Sequence, residues 1–447
     1  MGSVNDDDMD SRNDDVGITK DAGGASHTAD GTGSLGGVQH PHGSAFDQHA
    51  RESAFDFDTP VDRRGTWCTQ WDFTEDRFGV PGLLPFTISD MDFETAPPVI
   101  AALRSRLDHG VLGYSRWRNE DFRSAVTHWY ETRYAAAVDP EHLVYGPSVL
   151  YQISQLVQLW SEPGDGVVVH TPAYDAFPKL LAAHSRELRG CPLSKGADGG
   201  WTYDPQQLEA LLALPDTSVL LLCSPHNPTG RVWTEDELTW MADACERHGV
   251  AVISDEIHAD LSRSPHRHLP WSRLGSERGG RWAVVTSASK SFNIPALTGS
   301  YGLIGDRESR EAYLHRLKEA DGLSSPAVLS LVGHIAAYRQ GGPWLDALCA
   351  YVEQNLRMVT GRLNTRYPQL DLDVPQAGYL SWLDLRPLGV NDDQLQRLLI
   401  DREKVAIMPG STYGPQGAGF IRLNVGCPRA KAEAGVDALI RALGTLV

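Results

Sequence analysis

Short apolar, β-branched runs alternate with helical patterns through the middle of this chain, and this alternation constrains its fold more than any other feature. Four such runs are found at 166–170, 218–223, 250–254 and 282–286. Between the second and third runs, residues 234–248 have a helical pattern, with Thr234 as an N-cap and Glu237 three residues later. Strand, helix and strand at this spacing are typical of a parallel sheet covered by helices on both faces. We therefore predict an α/β fold with a large domain built on a mostly parallel sheet.

The last hundred residues have a different pattern. Helical segments near 344–366 and 393–403 flank alternating strands at 379–385 and 419–425. This order favours a smaller α+β domain. The sequence thus predicts an N-terminal segment that joins the small domain, a large domain and a small C-terminal domain, at 54–100, 101–335 and 336–447.

Residues 1–53 differ in composition from the rest of the chain. They are rich in Asp, Gly, Ser and His and contain few aliphatic or aromatic residues. Such a segment cannot bury enough surface to offset the entropy lost on ordering. We therefore predict a disordered tail.

Charge and cysteine content narrow the classes of function. The formal net charge is −18 at pH 7 and no basic cluster is present, so we expect no nucleic-acid partner. No apolar run approaches the roughly 18 residues of a membrane span, and the N-terminus lacks a signal-peptide pattern. We therefore expect no membrane partner. The six cysteines are scattered and lack zinc-site spacing, which indicates reduced thiols in a cytoplasmic protein without a bound metal.

Polar residues follow several of the predicted strands at the point where each strand ends. In open parallel sheets, ligands bind outside the carboxyl ends of the strands. The polar residues should therefore meet at one site.

A lysine follows the fourth strand. Ser287 and Ser289 precede Lys290 in the sequence Ser-Ala-Ser-Lys, directly after the run at 282–286. Partial desolvation at a strand end lowers the pKa of a lysine amine, which suits it to a Schiff base, and the hydroxyls can donate to a phosphate. A surface lysine that opens a helix would have the same short pattern.

Two further strand ends carry side chains suited to an aromatic ring. Asp255 follows the run at 250–254, where a carboxylate can pair with a protonated pyridine nitrogen. By itself it could equally be a helix cap, and the nearby His258 alone is typical of a structural histidine. In Ser-Pro-His-Asn-Pro-Thr-Gly, after 218–223, the prolines fix a turn that holds Asn227 as a donor to a ring oxygen. A tight turn without a ligand would have the same residues.

The remaining pieces are an aromatic face and a helix start. Tyr174 follows the first run and could stack on a ring or belong to the core. Ser148 and Val149 precede an apolar helical run, where backbone N–H groups could bind a phosphate or only begin a helix. Because several separate strand ends each supply one part of a single ring-and-phosphate site, the set indicates pyridoxal 5′-phosphate.

The order of these motifs resembles a known family. GPSVLY, TPAY, SPHNPTG, SDEIHADL and SASKSFNIPALTG are together similar to the fold-type-I pyridoxal-phosphate enzymes of the aminotransferase superfamily. FDFDTPVDRRGTWCTQWD, PFTISDMDF, HGVLGYSRW and VAIMPGSTYG resemble, more narrowly, the MalY/PatB group of cystathionine β-lyases, which are C–S lyases. The resemblance runs from about residue 55 to the C-terminus.

The resemblance implies a role for each site residue. Lys290 would be the catalytic residue that carries the cofactor, Asp255 the partner of the pyridine nitrogen and Asn227 that of the ring hydroxyl oxygen. Tyr174 would stack on the ring. The phosphate would be lined by Ser148, Val149 and Ser287.

The resemblance also implies a dimer and a substrate contact. Tyr114, in GYSRW, matches a tyrosine that reaches the phosphate of the neighbouring subunit, so a homodimer with shared sites is expected. Arg422, in FIRLNVG, matches the arginine that binds the substrate α-carboxylate, a bidentate contact that lysine makes poorly. Thr298 stands where many transaminases have a phosphate-binding arginine. His258 stands where many have a tyrosine on the ring oxygen, and both differences favour a lyase.

The implied reaction is β-elimination of sulfur amino acids, in which cystathionine gives homocysteine, pyruvate and ammonia, a step of methionine biosynthesis. Lys290 would remove the α-proton as general base. The nearest alternative is a pyridoxal-phosphate-dependent aminotransferase that uses the same site. A further alternative is a regulatory protein-binding role of the MalY type, with an unknown protein partner.

Overall fold

The computed structural model describes residues 55–196 and 199–447. The predicted tail, residues 1–53, lies outside the described residues. The strands are β1 (Leu84–Phe86), β2 (Leu143–Gly146), β3 (Gly166–Thr171), β4 (Glu187–Lys195), β5 (Trp201–Tyr203), β6 (Thr217–Cys223), β7 (Ala251–Asp255), β8 (Trp282–Thr286), β9 (Ser300–Ile304), β10 (Leu380–Asp384), β11 (Val405–Pro409) and β12 (Phe420–Asn424).

The helices surround these strands in an alternating order along the chain. They are α1 (Thr69–Asp72), α2 (Thr74–Phe78), α3 (Pro97–Asp108), α4 (Glu120–Tyr134), α5 (Val149–Trp160), α6 (Ala176–Ala183), α7 (Pro205–Leu212), α8 (Glu235–His248), α9 (Trp271–Gly275), α10 (Arg307–His315), α11 (Val328–Gln340), α12 (Gly342–Arg366), α13 (Asp392–Arg397) and α14 (Arg429–Leu446). Within the described ranges, no helix is both long enough and apolar enough to cross a membrane.

The larger sheet has eight strands in the order β2-β9-β8-β7-β6-β3-β4-β5. The five strands from β8 to β4 run parallel to one another, and the four predicted runs form β3, β6, β7 and β8. Nearly every residue of these four strands is buried, as expected for a sheet covered on both faces. The predicted mostly parallel sheet is confirmed.

Helix α8 begins as the sequence predicts. The Thr234 hydroxyl accepts a hydrogen bond from the Glu237 backbone N–H at 3.3 Å, and the Glu237 carboxylate accepts one from the Thr234 N–H at 2.9 Å. This reciprocal capping box satisfies two backbone donors at the helix start. The helix ends at Gly249, whose φ of 67° is the left-handed conformation that glycine adopts readily.

The antiparallel strand β9 was not predicted. It lies between β2 and β8 and is antiparallel to both. Its five residues are all buried, but the sequence Ser-Tyr-Gly-Leu-Ile has only one β-branched residue and little apolar periodicity. Its pairing partners, rather than its own sequence, therefore define it as a strand.

The smaller sheet combines one strand near the N-terminus of the described chain with three strands from its C-terminal part. Its order is β1-β11-β12-β10, with β1 parallel to β11 and β12 antiparallel to β10 and β11. Residue 84 pairs with residue 405, so the N-terminal segment supplies an edge strand to C-terminal elements. Both sheets belong to one compact unit. The predicted domain boundaries at 101 and 336 are not tested by this division and stay predictions.

Candidate active site

A cavity of about 930 Å³ opens where the carboxyl ends of β6, β7 and β8 meet the smaller sheet. Tyr114 does not line it, and its side chain is fully exposed. The other nine residues selected from the sequence all line it: Ser148, Val149, Tyr174, Asn227, Asp255, His258, Ser287, Lys290 and Arg422. Residues from several separate strand ends therefore converge on one site.

Lys290 lies in the turn after β8, with its amine inside the cavity. Burial lowers the pKa of this amine to about 8. Its Nζ donates a hydrogen bond to the backbone carbonyl of Ser89 at 2.5 Å. The turn is fixed locally, because the Ser289 N–H donates to the Ser287 hydroxyl at 3.1 Å. A lysine with a lowered pKa is a better nucleophile and base near neutral pH than an ordinary surface lysine.

Asp255 is the last residue of β7 rather than the first residue after it. Its carboxylate is buried, and burial raises its pKa to about 7. Its hydrogen bond comes from the backbone N–H of Ile257 at 3.2 Å, and no cation within the described chain forms an ion pair with it. A buried carboxylate without a bonded cation is a suitable partner for a protonated ring nitrogen.

Arg422 projects from β12 into the cavity and is held by two hydrogen bonds. One guanidinium NH₂ group donates to the Asn227 side-chain oxygen at 3.1 Å, and the other donates to the Thr87 carbonyl at 2.9 Å. The residue is 4% exposed, and its Nε has no hydrogen-bond partner among the described residues. A buried, unsatisfied guanidinium donor fits the carboxylate of a ligand.

Helix α5 points its N-terminus at the same cavity. Ser148 is its N-cap and accepts a hydrogen bond from the Tyr151 N–H at 3.1 Å. Val149 begins the helix and also lines the cavity. The start of a helix favours an anion through its free N–H groups and its dipole. The Ser287 hydroxyl instead donates to the Gly299 carbonyl at 2.8 Å, so its predicted phosphate contact stays a prediction.

Tyr174 and His258 provide aromatic walls. Tyr174 is half-buried, and burial raises the pKa of its hydroxyl to about 12. Its loop is tied to the segment between β11 and β12 by a hydrogen bond from the Ala173 N–H to the Tyr413 carbonyl at 2.9 Å. Burial lowers the pKa of His258 to about 3, so this imidazole is neutral at physiological pH. Its Nδ1 has no partner among the described residues.

The segment 87–93, after β1, is the part of the site that sequence analysis missed. The Ser89 carbonyl accepts from Lys290 and also from the Tyr379 hydroxyl at 3.0 Å. The Asn424 amide donates to the carbonyls of Ile88 and Asp90 at 2.6 and 2.8 Å, which fixes both sides of Ser89. The sequence carries no clear signal for this segment, because β1 has three residues and pairs with β11, more than 300 residues later.

Comparison with known proteins defines the class of this chain. Residues 81–439 match the family model for aminotransferase class I and II, and the protein belongs to this family. Among solved structures, it is similar to cystalysin from Treponema denticola, which contains pyridoxal 5′-phosphate. The TM-score is 0.82 and the identity 28%, over 88% of this chain and 99% of that one. The PLP-bound C–S lyase from Staphylococcus hominis gives a TM-score of 0.81 and 27% identity, over 87% and 99%.

Curated relatives narrow the class further. The chain is 58% identical to Protein MalY of Escherichia coli (strain K12), over 87% of this chain and 99% of that protein. It is 37% identical to the cystathionine beta-lyase PatB of Bacillus subtilis (strain 168), again over 87% and 99%. The predicted resemblance to the MalY/PatB group and the predicted α/β fold are therefore confirmed.

Proposed function

We propose that this protein is a pyridoxal-phosphate-dependent C–S lyase, which cleaves cystathionine and related thioether amino acids by β-elimination. The observation that carries the proposal is one cavity containing a lysine of lowered pKa, a buried carboxylate without a cation and an arginine with a free Nε: Lys290, Asp255 and Arg422. The similarity to MalY and to the cystathionine beta-lyase PatB supports the choice of reaction.

The cavity residues fit the cofactor. Lys290 would hold it through Nζ, Asp255 would pair with its ring nitrogen, and the N-terminus of α5 would bind its phosphate. Tyr174 would lie against the ring, and Asn227 would donate to its hydroxyl oxygen. When bound, pyridoxal 5′-phosphate withdraws electrons from the substrate carbon that bears the amino group, which makes the proton on that carbon acidic.

Lys290 is the residue positioned to move that proton. With its pKa lowered to about 8, an appreciable fraction of the amine is neutral near physiological pH and can act as general base. The Ser89 carbonyl accepts an N–H from this amine, so it orients Nζ without consuming the lone pair that takes the proton. We therefore assign the proton transfer to Lys290 Nζ.

Arg422 fixes the substrate before the proton moves. Its guanidinium is held by Asn227 and Thr87, so the orientation of the bound α-carboxylate is set in advance. Fixing the carboxylate places the α-carbon so that its proton can be transferred to Lys290. Such positioning lowers the barrier of the reaction. Loss of the thiolate from the β-carbon and addition of one water then give homocysteine, pyruvate and ammonia from cystathionine.

A paired assay tests the proposal against the aminotransferase alternative. Purified enzyme with cystathionine and no keto acid should release thiol, pyruvate and ammonia in equal amounts. Added 2-oxoglutarate should give glutamate at least about 100-fold more slowly, a barrier difference on the order of 3 kcal/mol. Glutamate accumulation with negligible thiol release would make the protein an aminotransferase. Thr298 at the cavity, in place of the phosphate-binding arginine of many transaminases, supports the lyase.

We also propose a homodimer with shared sites in the cytoplasm. Tyr114 is fully exposed, and the apolar residues Val111 and Leu112 beside it are 61% and 56% exposed. An exposed aromatic and aliphatic patch of this kind is typical of an interface. Tyr114 would complete the phosphate site of the partner subunit.

All six cysteines are free thiols, which is compatible with a reducing compartment such as the cytoplasm. A regulatory protein partner of the MalY type stays a prediction.

A further inference from the structure

The cationic side chains of the active-site cavity differ in whether a carboxylate neutralises them. Arg63 forms ion pairs with two aspartates at 2.6 and 2.9 Å, and Lys179 with one at 2.9 Å. Lys290 donates to a backbone carbonyl. Within the described chain, Arg77 and Arg422 are the two arginines of the cavity that have no carboxylate partner.

Arg77 lies close to Arg422 along one wall of the cavity. Its guanidinium donates to the sulfur of Met408 at 3.4 Å, and sulfur is only a weak acceptor. Met408 is the register partner of Arg422 in the smaller sheet. The Arg422 guanidinium also lies 4.5 Å from the ring centre of Tyr413. Met408 and Tyr413 therefore form a wall that contacts both guanidinium groups, and neither group has a carboxylate partner among the described residues.

The electrostatics of Tyr413 indicate the same proximity. Burial raises the pKa of its hydroxyl to about 12, and the positive charges of Arg422 and Arg77 both oppose this rise. Arg422 is buried, whereas Arg77 is exposed to solvent. A ligand that reaches from one arginine to the other would extend from the reacting centre towards solvent.

The cavity has space for such a ligand beyond the reacting centre. Thr69, Arg77 and Ile88 line both the main cavity and an adjoining cavity of about 350 Å³ next to α2. Arg77 lies where the two cavities adjoin, so an extended substrate arm directed towards the smaller cavity would meet its guanidinium.

We propose that Arg77 binds a carboxylate at the far end of the leaving group, so that the enzyme prefers thioethers whose departing thiol carries a carboxylate. The inference rests on the proposed lyase function and adds the class of leaving group. Arg422 takes the α-carboxylate, and a second unpaired guanidinium suits a second carboxylate through its planar, bidentate geometry. The homocysteine arm of cystathionine carries such a carboxylate.

Two matched substrates test this specificity. S-(2-carboxyethyl)-L-cysteine and S-(2-carbamoylethyl)-L-cysteine have leaving groups of nearly equal size that differ in charge. We expect the holoenzyme to favour the carboxylate in kcat/KM, and Arg77→Gln to reduce that preference by about fivefold to tenfold. Arg77→Lys should retain part of the preference. Higher ionic strength should weaken the preference of the unaltered enzyme, because Arg77 is exposed.

Arg64→Gln is the matched control. Arg64 is also an exposed arginine of the N-terminal segment, but it pairs with Asp62 and does not line the cavity. The Arg64→Gln variant should leave the preference for the carboxylate substrate unchanged. An unchanged preference in Arg77→Gln, or an equal loss in Arg64→Gln, would overturn the proposal. Equal turnover of both substrates would leave the lyase function standing and refute the role of Arg77. If the enzyme turns over neither of the two substrates and also fails to turn over cystathionine, the lyase function is refuted, and the inference with it.

Discussion

The Nζ of Lys290 donates to the carbonyl oxygen of Ser89, which lies 201 positions earlier in the chain, at 2.5 Å. The Tyr379 hydroxyl donates to the same oxygen from the C-terminal half at 3.0 Å. One backbone carbonyl thus joins the N-terminal segment, the loop after β8 and the element before β10. This contact orients the amine that the proposed mechanism uses as base.

The first prediction concerns the attachment of the cofactor. Borohydride reduction of the holoenzyme followed by peptide mapping should place the pyridoxyl group on Lys290. Lys290→Ala should reduce thiol release by about 1,000-fold or more, because the residue both holds the cofactor and moves the proton. Label on Lys179, the other lysine of the cavity, would contradict the assignment.

The second prediction follows from the lowered pKa of Lys290. The amine titrates at about 8 in the folded protein, against an ordinary value of 10.5. At pH 7 the amine is mostly protonated in both the folded and the unfolded state, so its burial destabilises the fold almost in full. Between pH 8 and 10.5 the unfolded state binds more protons, so this destabilisation decreases as the pH rises.

Lys290→Met should therefore raise the free energy of unfolding of the cofactor-free protein at pH 7, on the order of 2 kcal/mol. The difference from the unaltered protein should shrink at pH 9.5. Urea unfolding of both proteins at the two pH values measures it. A difference that stays constant with pH would show that the amine is not desolvated.

The third prediction concerns Tyr379. Tyr379→Phe removes the second hydrogen bond to the Ser89 carbonyl and should lower the free energy of unfolding by about 1 kcal/mol. Because that carbonyl orients Lys290, kcat should also fall, by about fivefold. The matched control is Tyr367→Phe. Tyr367 is also buried, its hydroxyl donates to the backbone carbonyl of Ile440 at 3.4 Å, and it does not line the cavity. Equal kcat values for the two variants would remove the positioning role.

The fourth prediction tests the shared site by complementation. Tyr114→Ala should weaken cofactor retention, and Lys290→Ala should abolish turnover. In a mixed dimer, one site would combine the intact Lys290 of one subunit with the intact Tyr114 of the other. Unfolding and refolding the two variants together should therefore restore up to about a quarter of the normal activity, the share expected for random twofold pairing. No recovery, together with an active monomer in sedimentation, would exclude the shared site.

Local sequence signals predicted the inner strands of the larger sheet and the residues at their ends. The buried strands β3, β6, β7 and β8 are nearly continuous apolar runs, so each is evident without its neighbours. The start of α8 is equally local, because Thr234 and Glu237 satisfy each other's backbone donors. Open parallel sheets bind ligands outside the carboxyl ends of their strands. This rule alone predicted that Asp255, Asn227 and Lys290 lie in one site.

Other features depend on contacts that leave no periodic pattern. Strand β9 is defined by pairing with β2 and β8. The segment 87–93 reaches the site because β1 pairs with β11, more than 300 residues later. Arg77 reaches the site because its guanidinium packs beside Met408, which is 331 positions later in the chain. Tertiary structure alone decided these features, because a contact between distant residues is set by the packing of whole elements, whereas strand runs and helix caps are set by neighbours in the chain.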